Sequence, residues 1–359
     1  MKKLLMIHKM KKIVPDIETV LKRYEYFWRG EILDRPLLIY QTGKKDFPYK
    51  QGDTYHDRCF GNIDTILDNY LFNIRNTLYY GDAYPNYWIS LGTHEIAAYM
   101  GGEIKWAEGG GDTNWAVPKE GDFDDIFPIR IDKNNKLFKR LIELYGRAVE
   151  KFDGESFIFA PDFHTNMDLL LSLRGDEQLC FDCVDSPEKI DRAMPQVQKV
   201  FTDLFNAAEK AGRFDEYGYA FNLFSSKTYT CLACDFAALV SEEMFRRWIM
   251  PALEYECGRL ERARFHWDGP GALRHFEDIM SIGKICNISF VPNPFESHLK
   301  YLELYEKIQA RGKSIEFGGN FDEIKLAAKV LKPNLTVYSL RGDYGPAEFE
   351  EIEKFLRKQ

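Results

Sequence analysis

Apolar positions along the chain switch between a helical period and short strand-like runs. Ile17, Val20, Leu21, Tyr24 and Phe27 recur at helical spacing, and Gly30 closes that run. Arg35-Pro36-Leu37-Leu38-Ile39-Tyr40 reads as a short buried strand. Residues 61–79 pattern as a helix. Residues 80–115 lose the period and are aromatic and glycine-rich, with Gly101-Gly102 and Gly109-Gly110-Gly111. Such a long irregular stretch inside a compact domain is commonly functional.

From residue 130 the alternation is regular. Strand patterns at 156–160, 217–224, 264–267, 285–291, 314–317 and 335–340 are interleaved with helical patterns at 137–151, 166–174, 187–211, 241–262, 271–280, 299–311, 322–330 and 346–357. Strand alternating with helix predicts an α/β protein with a parallel sheet. The repetition to residue 359 predicts a (β/α)8 TIM-type barrel, with an open doubly wound sheet as the alternative. A helical extension over 1–35 precedes the barrel domain of 36–359, and the aromatic, glycine-rich stretch is a loop insertion in it. No proline-rich or glycine/serine-rich linker divides the chain.

Composition narrows the classes. At 359 residues, 45% apolar and 29% charged, the chain can bury a large core without a disulfide or metal staple. A formal charge of −8 argues against a nucleic-acid or anionic membrane surface as partner. No apolar run is long enough for a membrane span. The apolar stretch after Met1 is short and ends at Lys9, Lys11 and Lys12, so a cytoplasmic protein is expected rather than a secreted one. The odd count of 7 cysteines fits that compartment.

In a barrel, chemistry sits at the carboxyl ends of the strands. That rule selects positions 41–45, 82–88, 162–164, 222–226, 266–268, 293, 316–320 and 341–344. His266 and Asp268 stand two apart on a strand and so face the same side. An imidazole and a carboxylate facing one cavity suit metal ligation or proton transfer. The plainer role of Asp268 or Gly269 is to cap the helix that Pro270 opens. Asp162-Phe163-His164 repeats the spacing at another strand end, so Asp162, His164, His266 and Asp268 are the catalytic candidates. Lys44, Tyr84, Trp88, Asn222, Trp267 and Arg341 are the candidate substrate contacts. Lys44 and Arg341 would meet a carboxylate, as point charge and fork respectively. Tyr84, Tyr87, Trp88, Trp106 and Trp115 would wall an apolar pocket. Cys180/Cys183 and Cys231/Cys234 have Cys-x-x-Cys spacing, but their apolar neighbours suit burial better than zinc. Cys231 and Cys234 fall just after a predicted strand end.

The run from His266-Trp267-Asp268-Gly269-Pro270-Gly271 to Phe276 resembles the uroporphyrinogen decarboxylase superfamily, which includes corrinoid-dependent methyltransferases. Asp162-Phe163-His164-x-x-Met167-Asp168, with Leu173-Arg174-Gly175, is similar to a second segment of that family. Cys234-Asp235-Phe236 with Ser241, Phe245 and Pro251, and Asp82-Ala83-Tyr84-Pro85, are similar to two more. The resemblance spans roughly 36–359 and implies a TIM-type barrel. True decarboxylases of the family carry an arginine-rich grip where this chain has Gln41-Thr42-Gly43-Lys44-Lys45. Their catalytic aspartate and late histidine find no counterpart; Ser339-Leu340-Arg341-Gly342-Asp343-Tyr344 stands at the latter position.

The methyltransferase branch places a zinc-binding His-x-Cys at His266-Trp267-Asp268. The resemblance therefore implies zinc on His266 and Asp268, with Glu316, Asp162 or His164 in place of a missing third cysteine. It implies an enzyme with an altered site that takes a small organic or tetrapyrrole-type substrate at the barrel mouth. Methyl transfer with a corrinoid protein as partner is the first expectation. Decarboxylation of a carboxylate-bearing substrate is the second, and a non-catalytic small-molecule binder the third. Dimerisation is common in that superfamily, so a homodimer is expected on the same ground.

Overall fold

The strand patterns from residue 264 onward become one sheet. A computed structural model describes residues 2–107, 113–161 and 163–359. Among these, seven strands lie in the order Thr77–Gly81, Leu37–Gly43, Thr336–Leu340, Ser314–Gly319, Ile285–Val291, Arg262–Asp268 and Tyr229–Ala233. Only the first pair is antiparallel. The protein is thus α/β, with a mostly parallel sheet. Ile285, Ile288, Phe290, Ile315, Phe317, Val337 and Tyr338 are all nearly inaccessible to solvent. Near-continuous apolar runs are what parallel strands covered on both faces require.

Shorter contacts extend the parallel arrangement. Asn86–Tyr87 pairs with Phe157–Ile158, Phe159 bridges to Ala220, and Phe163 bridges to Leu232. The Asp82 amide donates to the Leu38 carbonyl at 2.6 Å.

The connecting helices bury one stripe each. In Pro187–Gly212 the inward positions are Ile190, Ala193, Met194, Val197, Val200, Phe201, Leu204, Phe205 and Ala208, the spacing of an amphipathic helix. The predicted first helix is Ile17–Phe27, and its five apolar positions are all buried. It is tied to the sheet through polar contacts as well. Tyr24 donates to the Asp82 carbonyl, and the Asp82 carboxylate receives Arg23, Arg35 and the Leu38 amide.

Two expectations need correction. The helix predicted over 61–79 ends at Ile74, and Thr77–Gly81 returns as a strand beside Leu37–Gly43. Thr77-Leu78-Tyr79-Tyr80 is β-branched and aromatic, which favours a half-buried pleat. Gly81 ends that strand at φ +65, and a Cβ there would sit 2.2 Å from the Leu38 carbonyl oxygen. The strand predicted over 217–224 is a tight hairpin, Tyr219–Phe221 against Leu223–Ser225, broken by Asn222 at φ 58. The main-sheet strand follows at Tyr229–Ala233, so Cys231 lies inside a strand, not beyond its end. All seven cysteines are free thiols. Burial raises the Cys183 thiol to about 12 and also raises that of Cys234. Among the described residues, no helix is long and apolar enough to cross a membrane.

Candidate functional site

Parallel pairing puts the carboxyl ends of several strands side by side. Asp268 is in register with Val291, His266 with Ser289, and Gly319 with Leu340. Arg264, His266 and Asp268 alternate along their strand and share a face. Down that face burial falls off in order: Arg264 is buried, His266 half-buried and Asp268 exposed. The polar face therefore opens at the carboxyl end.

Arg264 anchors a polar layer below this opening. It donates to the Ser289 hydroxyl at 2.6 Å and to the Glu316 carboxylate. Ser339 donates to the other Glu316 oxygen at 2.5 Å. Burial alone would raise the Glu316 carboxyl, but Arg264 and Ser339 outweigh it and hold it below the ordinary value. Burial opposes the charge on Arg264, yet Glu316 keeps the guanidinium firmly protonated. Among the described residues, Arg264 Nη1 is buried without an acceptor.

At the neighbouring strand ends Arg341 is exposed and lies over Gly318. Its Nη2 approaches His298 Nε2 at 3.5 Å. Burial, then the adjacent Arg341, lower His298 to about 4, so the ring is neutral near pH 7.

Several predicted substrate contacts lie elsewhere. Trp267 points to the opposite face, is 1% exposed and packs against Phe265 and Phe276. Tyr84 is 2% exposed, and its hydroxyl donates to the Asn222 carbonyl. Neither ring offers a surface to a ligand; both are core, because a large ring on a buried strand gains more from packing than from the mouth. Asn222 forms the hairpin corner. Lys44 is exposed, with its ammonium near the Arg75 carbonyl at 3.5 Å. Trp88 is 38% exposed, beside Tyr55 and under the Arg58 guanidinium. Of the other aromatic-wall residues, Tyr87 is buried and Trp115 exposed.

The expected zinc set does not assemble. The ligand atoms of His266, Asp268 and Glu316 do not converge as a group among the described residues, and Glu316 is committed to Arg264 and Ser339. Asp162 lies outside the described residues. A different set does converge: one ligand atom each from His164, Asp168 and Asp235 lie within 4.8 Å of one another.

The segment after Phe163 builds this second cluster. His164 Nδ1 is 3.7 Å from Asp168 Oδ2. The Asp168 oxygens accept the amides of Asp235 and Phe236, each at 2.9 Å. Between them, Thr165 donates to Glu256 at 2.7 Å. Burial raises the Glu256 carboxyl to about 8, against the pull of Thr165 and with help from Asp168. Asn166 is buried at φ 61, ψ −147 and donates to the Ile249 carbonyl at 3.3 Å. Ile249 ends a π-helical turn, Phe245–Ile249, and such turns free carbonyls from the regular ladder. His94 stands near enough for His164 to lower its basicity, after burial. Its Nδ1 accepts the Ala116 amide at 3.2 Å, which leaves the proton on Nε2.

Sequence reading selected His164 but not Asp168, Asp235, Arg264 or His298 as site residues. Arg264 carried a signal, since it stands two before His266 on the same face. Asp235 stood in one of the segments that carry the resemblance, but nothing there joined it to His164, because their approach depends on contacts across about seventy residues. A cleft of about 340 Å³ lined by Gln51, Asp53, Asp57, Asn62, Thr65 and Asn69, among others, contains none of these groups.

No protein-family model matches the chain, and no curated protein is significantly similar to it.

Proposed function

We propose that the chain is an enzyme of the uroporphyrinogen decarboxylase superfamily that binds a small organic substrate at the mouth of a (β/α)8 barrel. The parallel contacts at 86–87, 157–159, 163 and 220, with the Asp82–Leu38 hydrogen bond, run between the two sides of the seven-strand sheet and support closure. The reaction proposed is methyl transfer to a thiol, with a corrinoid protein as partner.

One observation carries the reading. Arg264, His266 and Asp268 form a polar face that opens at the carboxyl ends of parallel strands, where ligands of such sheets bind, and Arg341 follows the carboxyl end of another strand of the same sheet. A bound methyl corrinoid supplies an electrophilic methyl group. His266 would accept the proton of the acceptor thiol at a ring nitrogen and so hold the sulfur as a thiolate; the corrinoid would serve as leaving group, keeping the electron pair of its broken bond to the methyl carbon that the sulfur takes. Asp268 favours the imidazolium so formed. Arg341 holds an anionic group of the acceptor, and Glu316 with Arg264 keeps the floor of the site rigid.

Decarboxylation is the second reading. It is favoured by Arg264 Nη1, a buried donor without an acceptor in a layer directly below the opening. A substrate carboxylate reaching that layer would complete its hydrogen bonds.

The test is incubation of the full chain with methylcob(III)alamin and a panel of small thiols, followed by the visible spectrum of the corrinoid. Demethylation by the wild type that is lost in His266→Ala supports methyl transfer. No demethylation with any thiol sinks it, and carbon dioxide release from a tetrapyrrole or dicarboxylic acid would then favour the second reading.

A further inference from the structure

The geometry points to a divalent-cation site formed by His164, Asp168 and Asp235, a different set of residues from His266 and Asp268, and independent of the reaction proposed above. One imidazole nitrogen and two carboxylate oxygens lie within 4.8 Å of one another, a spacing that a single ion at ordinary bond lengths can bridge.

The second observation is a charge deficit. Asp168 is 3% exposed, yet among the described residues no lysine or arginine pairs with it. Among the described residues its ion-pair partner is His164, at 3.7 Å. A buried carboxylate without a full positive charge beside it is costly, and a bound cation supplies that charge. The Asp235 and Phe236 amides fix the Asp168 carboxylate from one side. Each oxygen keeps a further lone pair, so these bonds orient a ligand rather than consume it. Capping the 235–239 turn explains Asp168 alone; it does not require His164 or the Asp235 side chain to converge on the same point.

The donor set selects the ion. Oxygen-rich ligation with one imidazole suits Mn²⁺, Fe²⁺, Zn²⁺ or Mg²⁺ rather than a soft ion. Burial grades from Asp168 through His164 to the exposed Asp235, so the ion would enter from the Asp235 side. Three protein ligands leave positions open to water or to an anionic ligand.

The test uses the full chain freed of metal with a chelator and titrated with Mn²⁺, free ion being read by electron paramagnetic resonance. One ion per chain is expected, with affinity at least about tenfold weaker in His164→Ala and in Asp235→Asn and unchanged in His266→Ala. Pulsed resonance of the bound ion in the wild type should show coupling to one imidazole nitrogen, a readout that needs no variant to fold. Absence of saturable binding, absence of that coupling, or binding that survives both variants would overturn the site. Loss of binding in His266→Ala alone would assign the ion to the other face and equally overturn it.

Discussion

Arg264 and Glu316 form an ion pair across an intervening strand, with the arginine side chain 2% exposed and the carboxylate 21% exposed. Ser289, on the strand between them, takes a second bond from the same guanidinium nitrogen. The pair lies below His266, so it sets both the stability of the sheet and the floor of the proposed site.

Breaking this pair from one side should be costly. Glu316→Gln leaves Arg264 buried and uncompensated, and a loss of about 3 kcal/mol is expected. Arg264→Met should cost less, because Glu316 retains some access to water and the Ser339 bond. Arg264→Met combined with Glu316→Leu should recover most of the loss. Urea denaturation of the three variants checks this, and additive losses in the double variant would refute the coupling.

His298 makes stability depend on pH. Its pKa is lowered from 6.5 to about 4, by burial first and Arg341 next. In the unfolded chain the ring takes up its proton near pH 6.5, while the folded ring resists. Its contribution is therefore full above pH 6.5 and is lost as pH falls through about 4. The loss is bounded at about 3 kcal/mol. His298→Gln, which can still bond Tyr305, should flatten this part of the profile. The denaturation midpoint of both proteins between pH 7 and pH 4 measures the difference, and parallel profiles would contradict it.

Regular elements were legible in the sequence where burial alone decides them. Ile285–Val291 has the predicted bounds, Lys136–Phe152 is one residue longer than predicted at each end, and Pro187–Gly212 is one residue longer at its carboxyl end. Boundaries set by backbone geometry were not. Asn222 at φ 58 splits one predicted strand, and Gly81 turns the end of a predicted helix into a strand corner. For the proposed site, strand-mouth logic selected His266, Asp268, Glu316 and Arg341, which lie on or just after parallel strands of the sheet. It misplaced Tyr84 and Trp267, because alternation says which residues share a face but not which face is core. Asp168 and Asp235 were invisible as a pair, since a carboxylate held by main-chain amides leaves no local spacing rule.

Asn166 stores strain beside the second cluster. Its φ of 61 and ψ of −147 fall where glycine alone is comfortable. Asn166→Ala should lose about 2 kcal/mol, because it keeps the strain and removes the bond to the Ile249 carbonyl. Asn166→Gly relieves the strain and loses the same bond, so it should be the milder change. Thermal denaturation ranks the two. Equal loss in both would show that the hydrogen bond, not the backbone, dominates.

Gly318 controls where Arg341 lies. A Cβ on Gly318 would come within 2.7 Å of Arg341 Nη2 and 2.9 Å of its Cζ. The crowded atoms are the far end of an exposed, flexible side chain, so Arg341 moves and the strand does not. Gly318→Ala should change stability by less than about 0.5 kcal/mol. If Arg341 is the fork for a substrate carboxylate, that displacement weakens binding. Affinity for small dicarboxylic acids, measured by titration calorimetry, should fall about tenfold in Arg341→Ala and by a smaller factor in Gly318→Ala. Adding Gly318→Ala to Arg341→Ala should change nothing further, because the atoms nearest the new Cβ are gone. An additional loss in the double variant would place the ligand against Gly318 itself and remove Arg341 as the intermediary.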